Sequence, residues 1–416
     1  MAGRTLWPMR SRQREERRRR FAAILAAILG ALVIAWVATT PELDAPGKAL
    51  PGPGTAGLRP PPVHLAWVPG GFPPAFRERV DALPSIRRSV VVAGDTRWLT
   101  ASRDQDGRSV DAPDPPFAIP LDAFAVDPEE YAPFLPRQLR SGVTEALLDG
   151  QAVISALSAR LRRLAPGGTL EFGDVGVEIG AVAPDRAIGW SEVLVSREVG
   201  ERLGIEHDRY LLARVTGRLS EDEFASLLEG SLPPGTAVRV AEPGTETFVR
   251  VASGVNPPVV MKVLFGEFAA HPEQGNEAFL VIDPAWEQEH LATREVPILG
   301  TVTCNQALFE PLVGALEQLA REGLDRLVHS YDGCYAARTI ARTPTAPPSQ
   351  HAYGAAIDIN AGENPFGGEP SMDPRVVRVF ERWNFVWGGE FLIPDGQHFE
   401  YLGTPPSVTA ASAAAP

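Results

Sequence analysis

Two short segments gather the side chains able to do chemistry. The first, SQHAYGAAIDIN, runs from Ser349 to Asn360 and carries His351 and Asp358; the second, DGQHFE, carries Asp395, His398 and Glu400. AAIDIN reads as a short buried strand, in which alternate side chains share a face. Ala356, Asp358 and Asn360 then point one way while Ile357 and Ile359 point into a core. The same parity puts His398 and Glu400 on one side of HFEYL, with Phe399 and Tyr401 opposite. An ionised carboxylate inside an apolar strand costs several kcal/mol unless it is paired or holds a cation. Imidazole nitrogens and carboxylate oxygens in one neighbourhood are the borderline and hard donors of a metal site. Without the second segment, His351 and Asp358 also fit a hydrogen-bonded pair in a loop.

The elements that must position these groups begin near Pro297. There PILGTVTCNQALFEPLVGALEQLAREGLDRLVHSYDGCY predicts a strand, a helix with Leu308, Leu312, Leu316 and Leu319 along one face, and a second strand ending in a Gly turn. A compact α+β unit is expected over 297–402, followed by a small-residue tail at 403–416 expected to be disordered. Its two cysteines, Cys304 and Cys334, are the full complement of the chain. In an exported protein they are expected to pair, closing a loop of about 30 residues that the chain-entropy model values at roughly 3.5 kcal/mol.

The spacing S-x-H-x-x-G-x-A-x-D, followed by WGG and then D-x-x-H-F-E, resembles the zinc peptidases of bacterial and phage cell-wall metabolism. These are D-alanyl-D-alanine carboxypeptidases of the vancomycin-resistance type and phage L-alanyl-D-glutamate endopeptidases, which share a fold with lysostaphin-type peptidases and the hedgehog signalling domain. The resemblance covers roughly residues 297–402. It implies that His351, Asp358 and His398 bind one Zn2+ and that Asp395 is the catalytic carboxylate. It also implies that Arg338 lines the substrate cleft, where its fork suits a peptide carboxylate or an oxyanion. Ser349 is expected to fix the loop or touch substrate, Glu400 to accept a hydrogen bond from a ligand imidazole, and Tyr353 and Trp387 to be cleft walls or aromatic core. One departure concerns the bond cut: many of the carboxypeptidases carry Glu before a Trp-His pair, whereas DGQHFE has Asp three residues before His. Candidate bonds are D-Ala-D-Ala, L-Ala-D-Glu or a cross-bridge.

At 416 residues, 44% hydrophobic and 22% charged, the chain has the composition of a globular protein of two or three domains. Its net charge of -13 is made more acidic beyond residue 20, because residues 1–20 carry eight Arg against two Glu. So acidic a body argues against a nucleic-acid partner. The Arg cluster runs into eighteen uncharged residues, Phe21 to Ala38, long enough for a transmembrane helix with its N-terminus in the cytoplasm. A cleaved signal peptide, with Val33 and Ala35 at the cleavage site, is the rival. Residues 39–62 read as a Pro/Gly-rich stalk, and 63–295 as an α+β region that could meet a protein partner. His64, His207, His271 and His290 are scattered there without ligand spacing, and His329 reads as a packed histidine.

The fold expected is therefore α+β: a C-terminal hedgehog/D-Ala-D-Ala-peptidase-like domain with a small antiparallel sheet, preceded by a separate α+β region and one N-terminal transmembrane helix. The leading functional expectation is a single-pass bacterial membrane peptidase, extracytoplasmic and acting on peptidoglycan peptides. The alternative from another class is a non-catalytic zinc domain that binds wall peptides or a partner.

Overall fold

One large sheet dominates the described residues. The computed structural model describes residues 63–68, 70–241 and 255–403. Ten strands form one sheet: β1 (His64–Trp67), β2 (Ile86–Leu99), β3 (Ala101–Arg103), β4 (Ile119–Val126), β5 (Ala152–Ser155), β6 (Thr169–Phe172), β7 (Val175–Ala183), β8 (Val193–Ser196), β9 (Asp208–Val215) and β10 (Arg239–Ala241). Their order is β10-β1-β9-β2-β4-β8-β5-β7-β6-β3, antiparallel except at β4 with β8 and β5 with β7. β4 shows why the sheet is two-sided. Every residue of IPLDAFAV is buried, with Phe124 and Val126 in one apolar cluster and Leu121, Ala123 and Ala125 in another. A strand covered on both faces loses the polar alternation of a half-exposed one.

The C-terminal part carries two hairpins, β11 (Ala270–Glu273) with β12 (Asn276–Ile282) and β13 (Leu291–Val296) with β14 (Gly300–Asn305). Four short strands follow, β15 (Tyr331–Gly333), β16 (Ala356–Ile359), β17 (Phe385–Trp387) and β18 (His398–Tyr401), in the antiparallel order β15-β16-β18-β17. Helix Phe309–Arg321 buries Leu312, Leu316 and Leu319 on the face its period predicts, and Leu308 is buried just before it. The disulfide between Cys304 and Cys334 is present, with the Cα atoms 5.6 Å apart.

The fold expectation needs correction. The large mixed sheet, not the small antiparallel one, organises most of the described chain, and the two are not separate: all described residues fall in one compact unit. The core beneath the small sheet starts at Met261 and takes in Trp98 of β2 at its edge. Charge ties the parts together as well. Buried Lys262 donates to Glu192 at 2.8 Å and to the Pro120 carbonyl at 2.6 Å, and buried Arg162 grips Glu267 through both terminal nitrogens at 2.5 and 2.6 Å. Burying four charges is tolerable because each faces an opposite one. Burial disfavours the Glu267 carboxylate, but the charges of Lys262 and Arg162 hold it down at about 2. Burial pushes wholly enclosed Glu192 up against the same two cations.

The expected localisation as a single-pass membrane protein is corrected too. Among the described residues no helix is long and apolar enough to cross a membrane. The longest of them, Phe309–Arg321, has 13 residues, or about 20 Å against roughly 30 Å of hydrocarbon. The span expected at 21–38, the stalk at 39–62 and the tail beyond Gly403 lie outside the described residues.

Candidate metal centre

The small sheet and one turn bring three donor residues together. On β16, Ile357 and Ile359 are fully buried while Asp358, between them, is only partly so. Antiparallel pairing sets Asp358 directly opposite His398 on β18. On the other face of β18, Phe399 stacks on Phe380 at 4.5 Å and Tyr401 packs near Phe385 at 5.3 Å, which holds the register.

His351 arrives from a single turn, Gln350–Tyr353, whose ends are both specified. The Ser349 hydroxyl accepts from the His351 amide at 3.3 Å as N-cap, and Gly354 ends the turn at φ +64°. A side chain at Gly354 would be strained by that φ and would also collide, since a Cβ would lie 2.6 Å from the Asn305 amide nitrogen. That amide donates to the Gly354 carbonyl at 2.9 Å. The Asn305 side chain donates at 3.1 Å to the carbonyls of both Tyr353 and Phe265. Asn305 thus clamps the turn to the core; beyond its place next to Cys304, no spacing in the sequence marks it.

His351 Nε2, Asp358 Oδ1 and His398 Nδ1 converge. His398 Nδ1 is 2.8 Å from Asp358 Oδ1, His351 Nε2 is 3.2 Å from the same oxygen, and the two ring nitrogens are 3.1 Å apart. The outer edges of the rings decide the tautomers. His351 Nδ1 faces the Cys334 carbonyl at 2.6 Å, which can only accept, so Nδ1 carries the proton and Nε2 a lone pair. His398 Nε2 donates to Glu400 Oε1 at 3.0 Å, leaving its Nδ1 free to accept. With both rings neutral, two nitrogen lone pairs and a carboxylate oxygen face one another with no donor between them. Such an arrangement demands a positive charge at its centre, either a proton on His398 or a metal cation. Burial opposes a charged His398, yet Asp358 and Glu400 beside it push its pKa up to about 10. Burial likewise opposes ionised Asp358, but the two imidazoles hold it far below the usual carboxylate range.

The donor set fits zinc. Four ligands at about 2.0–2.1 Å in a tetrahedron lie roughly 3.4 Å from one another, close to the spacing of these three, and the fourth position is left to solvent or substrate. Cys334 and Glu400 are the outer partners that fix ring orientation in such a site. The second carboxylate oxygen of Glu400 is buried without a hydrogen bond.

Asp395 is not one of the converging donors. It sits in the turn from β17 to β18, where its amide donates to the Gly388 carbonyl at 2.8 Å and its carbonyl accepts from the His398 amide at 3.1 Å. Its carboxylate accepts from Gln397 Nε2 at 3.1 Å. Gly388 has a reason to be glycine, because a Cβ there would lie 2.7 Å from the Asp395 carbonyl and 3.2 Å from the His398 Cβ. The indole nitrogen of Trp387 donates to the Gly396 carbonyl at 2.8 Å, fastening the same turn. Arg338 is half-buried; desolvation lowers its pKa, while the charges of Asp358 and Asp395 act in the other direction.

Tyr353 is core, not cleft: it is buried against Phe268 at 4.8 Å. His329, expected to pack, is instead on the surface and pairs with Glu363 at 2.8 Å. His64 is buried beside Phe224 and bonded to the Leu219 carbonyl, and His290 stacks on Trp286. His271 faces the Pro272 carbonyl at 2.9 Å, and His207 the Asp95 carboxylate at the same distance.

Residues 342–401 match a family model described as D-alanyl-D-alanine carboxypeptidase. The matched stretch holds His351, Asp358, Asp395, His398 and Glu400; Arg338 and both cysteines precede it. The match is to a peptidase family and so supports a hydrolase. A comparison with curated proteins finds no match. Among solved structures, the chain is similar to the periplasmic region of MacB from Actinobacillus actinomycetemcomitans, at 8% identity and TM-score 0.29, covering 47% of this chain and 94% of that one. It is also similar to the extracellular domain of the ABC-type transporter YknZ from Gram-positive bacteria (15% identity, TM-score 0.28, 43% of this chain and 100% of that one). A permease domain from Porphyromonas gingivalis gives 16% identity and TM-score 0.27, with 49% of this chain and 98% of that one covered.

Proposed function

We propose that the C-terminal part is a zinc-dependent peptidase that hydrolyses peptide bonds of peptidoglycan stem peptides, as a D,D-carboxypeptidase or an endopeptidase. The observation that carries this reading is the convergence of His351 Nε2, His398 Nδ1 and Asp358 Oδ1 to within 3.2 Å of one another. His351, Asp358 and His398 would hold the metal. When bound, zinc supplies Lewis acidity, polarising the scissile carbonyl and acidifying water. Asp395 takes the proton of the attacking water and passes it to the leaving amine. Arg338 donates to a substrate carboxylate or to the developing oxyanion, where a charged double donor is worth most. Glu400 and the Cys334 carbonyl keep the two imidazoles in the tautomers that face inward.

The test compares the full chain with Asp395→Asn on purified muropeptides, with products read by mass spectrometry and zinc measured on the same samples. Zinc content should be unchanged and hydrolysis lower by about 10²–10⁴-fold, the range for loss of a general acid–base group. Equal turnover by Asp395→Asn would overturn the role of Asp395. A parent chain that holds zinc but cleaves no muropeptide would favour the binding domain over the enzyme.

A further inference from the structure

A cluster of arginines lies on the large sheet. Arg87, Arg88, Pro133, Arg140, Arg214 and Val215 line a cavity of roughly 550 Å³. Arg88 on β2 stands directly opposite Arg214 on β9, next to an irregularity in the register at Arg87. Like charges facing each other across paired strands are destabilising. Arg140 opens helix Arg140–Leu148, whose N-terminus no side chain caps. The Pro133 carbonyl accepts from Arg214 Nη2 at 2.5 Å and from Arg140 Nη2 at 3.3 Å, so two guanidiniums are held in place by backbone instead of by an acid. Arg214 also lies over the Phe134 ring at 5.7 Å. The Nε atoms of Arg140 and Arg214 are buried with no hydrogen-bond partner. The charges acting on Arg214, after burial, are those of Arg140, Arg88 and Arg87, with no carboxylate among them.

This is not for want of acids, since the chain carries 52 Asp and Glu and a net charge of -13. Four guanidiniums converge, two of them pre-positioned and short of partners, beside the amide end of a helix. That combination describes a receptor for an anion with several oxygens. A lone carboxylate would neutralise one charge of four, whereas a phosphate monoester brings about -1.5 to -2 and three acceptor oxygens. We infer that the cleft among Arg87, Arg88, Arg140 and Arg214 binds a multiply charged phosphate group.

Inorganic pyrophosphate is the first probe, titrated calorimetrically into the full chain at low and high salt. Vesicles of phosphatidylcholine with and without phosphatidic acid are the second. Arg87 and Arg88 are exposed, so the double variant Arg87→Gln/Arg88→Gln keeps the fold, checked by its melting temperature. Binding that weakens with salt and falls at least tenfold in the variant is the expected result. Pyrophosphate binding without preference for phosphatidic acid assigns a free phosphate compound; a preference for phosphatidic acid that the variant loses assigns a lipid headgroup. Failure of both probes to bind, or equal binding by parent and double variant, overturns the assignment.

Discussion

The large sheet and the small one each set an aspartate beside histidine, and they do so in opposite ways. On the large sheet, Asp95 accepts from the amides of Glu206 and His207, from His207 Nδ1 and from Arg209 Nη2, at 2.9 to 3.2 Å. Every neighbour is a donor, and the carboxylate is content as an anion. On the small sheet, Asp358 meets two ring nitrogens whose protons are committed to Cys334 and Glu400 on the far sides of the rings. The residue types are alike; what differs is which way the donors point. A buried Asp with His is thus a structural knot when hydrogens face it and a candidate cation site when lone pairs do.

The comparison breaks most visibly through the metal. Asp358→Asn or His398→Ala should lower zinc from about one equivalent per chain to near none and abolish hydrolysis, because a three-ligand protein site has no spare donor. Asp95→Asn should leave metal content unchanged. Zinc measured after dialysis on all three variants decides the matter, and metal lost from Asp95→Asn alone would reverse the assignment of the two knots.

The next effect in size concerns the charges that join the two parts. Lys262→Met leaves buried Glu192 and Glu267 to share Arg162, and breaking a buried pair in this way costs about 3–5 kcal/mol. Denaturant unfolding should show it as a large drop in midpoint. A change within error would mean that the network adds nothing to cohesion.

Glu400→Gln keeps the shape but weakens the acceptor that holds His398 Nε2–H. Zinc affinity should fall by about 10–100-fold, as for other outer partners of ligand histidines. Competition with a chelator measures this, and unchanged affinity would remove Glu400 from the site.

The smallest effect is a matter of pH. Glu267 is held at about 2 against an ordinary 4.5, so its contribution to stability is complete above 4.5 and is lost as pH falls from there towards 2. Comparing acid unfolding of the parent and Glu267→Gln separates this contribution from that of Glu192, which burial pushes in the opposite direction. Curves that stay parallel between pH 4.5 and 2 would rule it out.

The convergence of His351, Asp358 and His398 was legible in the sequence because each sits in a short segment whose own pattern marks it. Strand parity picks Asp358 and His398 as the inward-facing residues of their own short strands, whose pairing then sets them opposite each other, and Ser349 and Gly354 at fixed spacing mark the turn that carries His351. The large sheet was not legible, because its order rests on partners far apart. β4 pairs in parallel with β8, some 70 residues on, and β1 lies between β9 and β10. Continuous apolar runs such as β4 fit several positions in a sheet equally well. The four-charge network was hidden for the same reason, since Arg162 and Glu267 are 105 residues apart. Asn305 and the Cys334 carbonyl escaped notice because a backbone oxygen has no letter in the sequence and a lone Asn has no pattern.

The disulfide has a consequence for cleavage of the chain itself. Cys304 and Cys334 are 30 residues apart and enclose helix Phe309–Arg321. A single protease cut anywhere in that interval leaves both fragments covalently joined, so the piece bearing His351, Asp358 and His398 stays attached to the piece bearing the large sheet. The nicked protein would run as one band without reductant and as two with it.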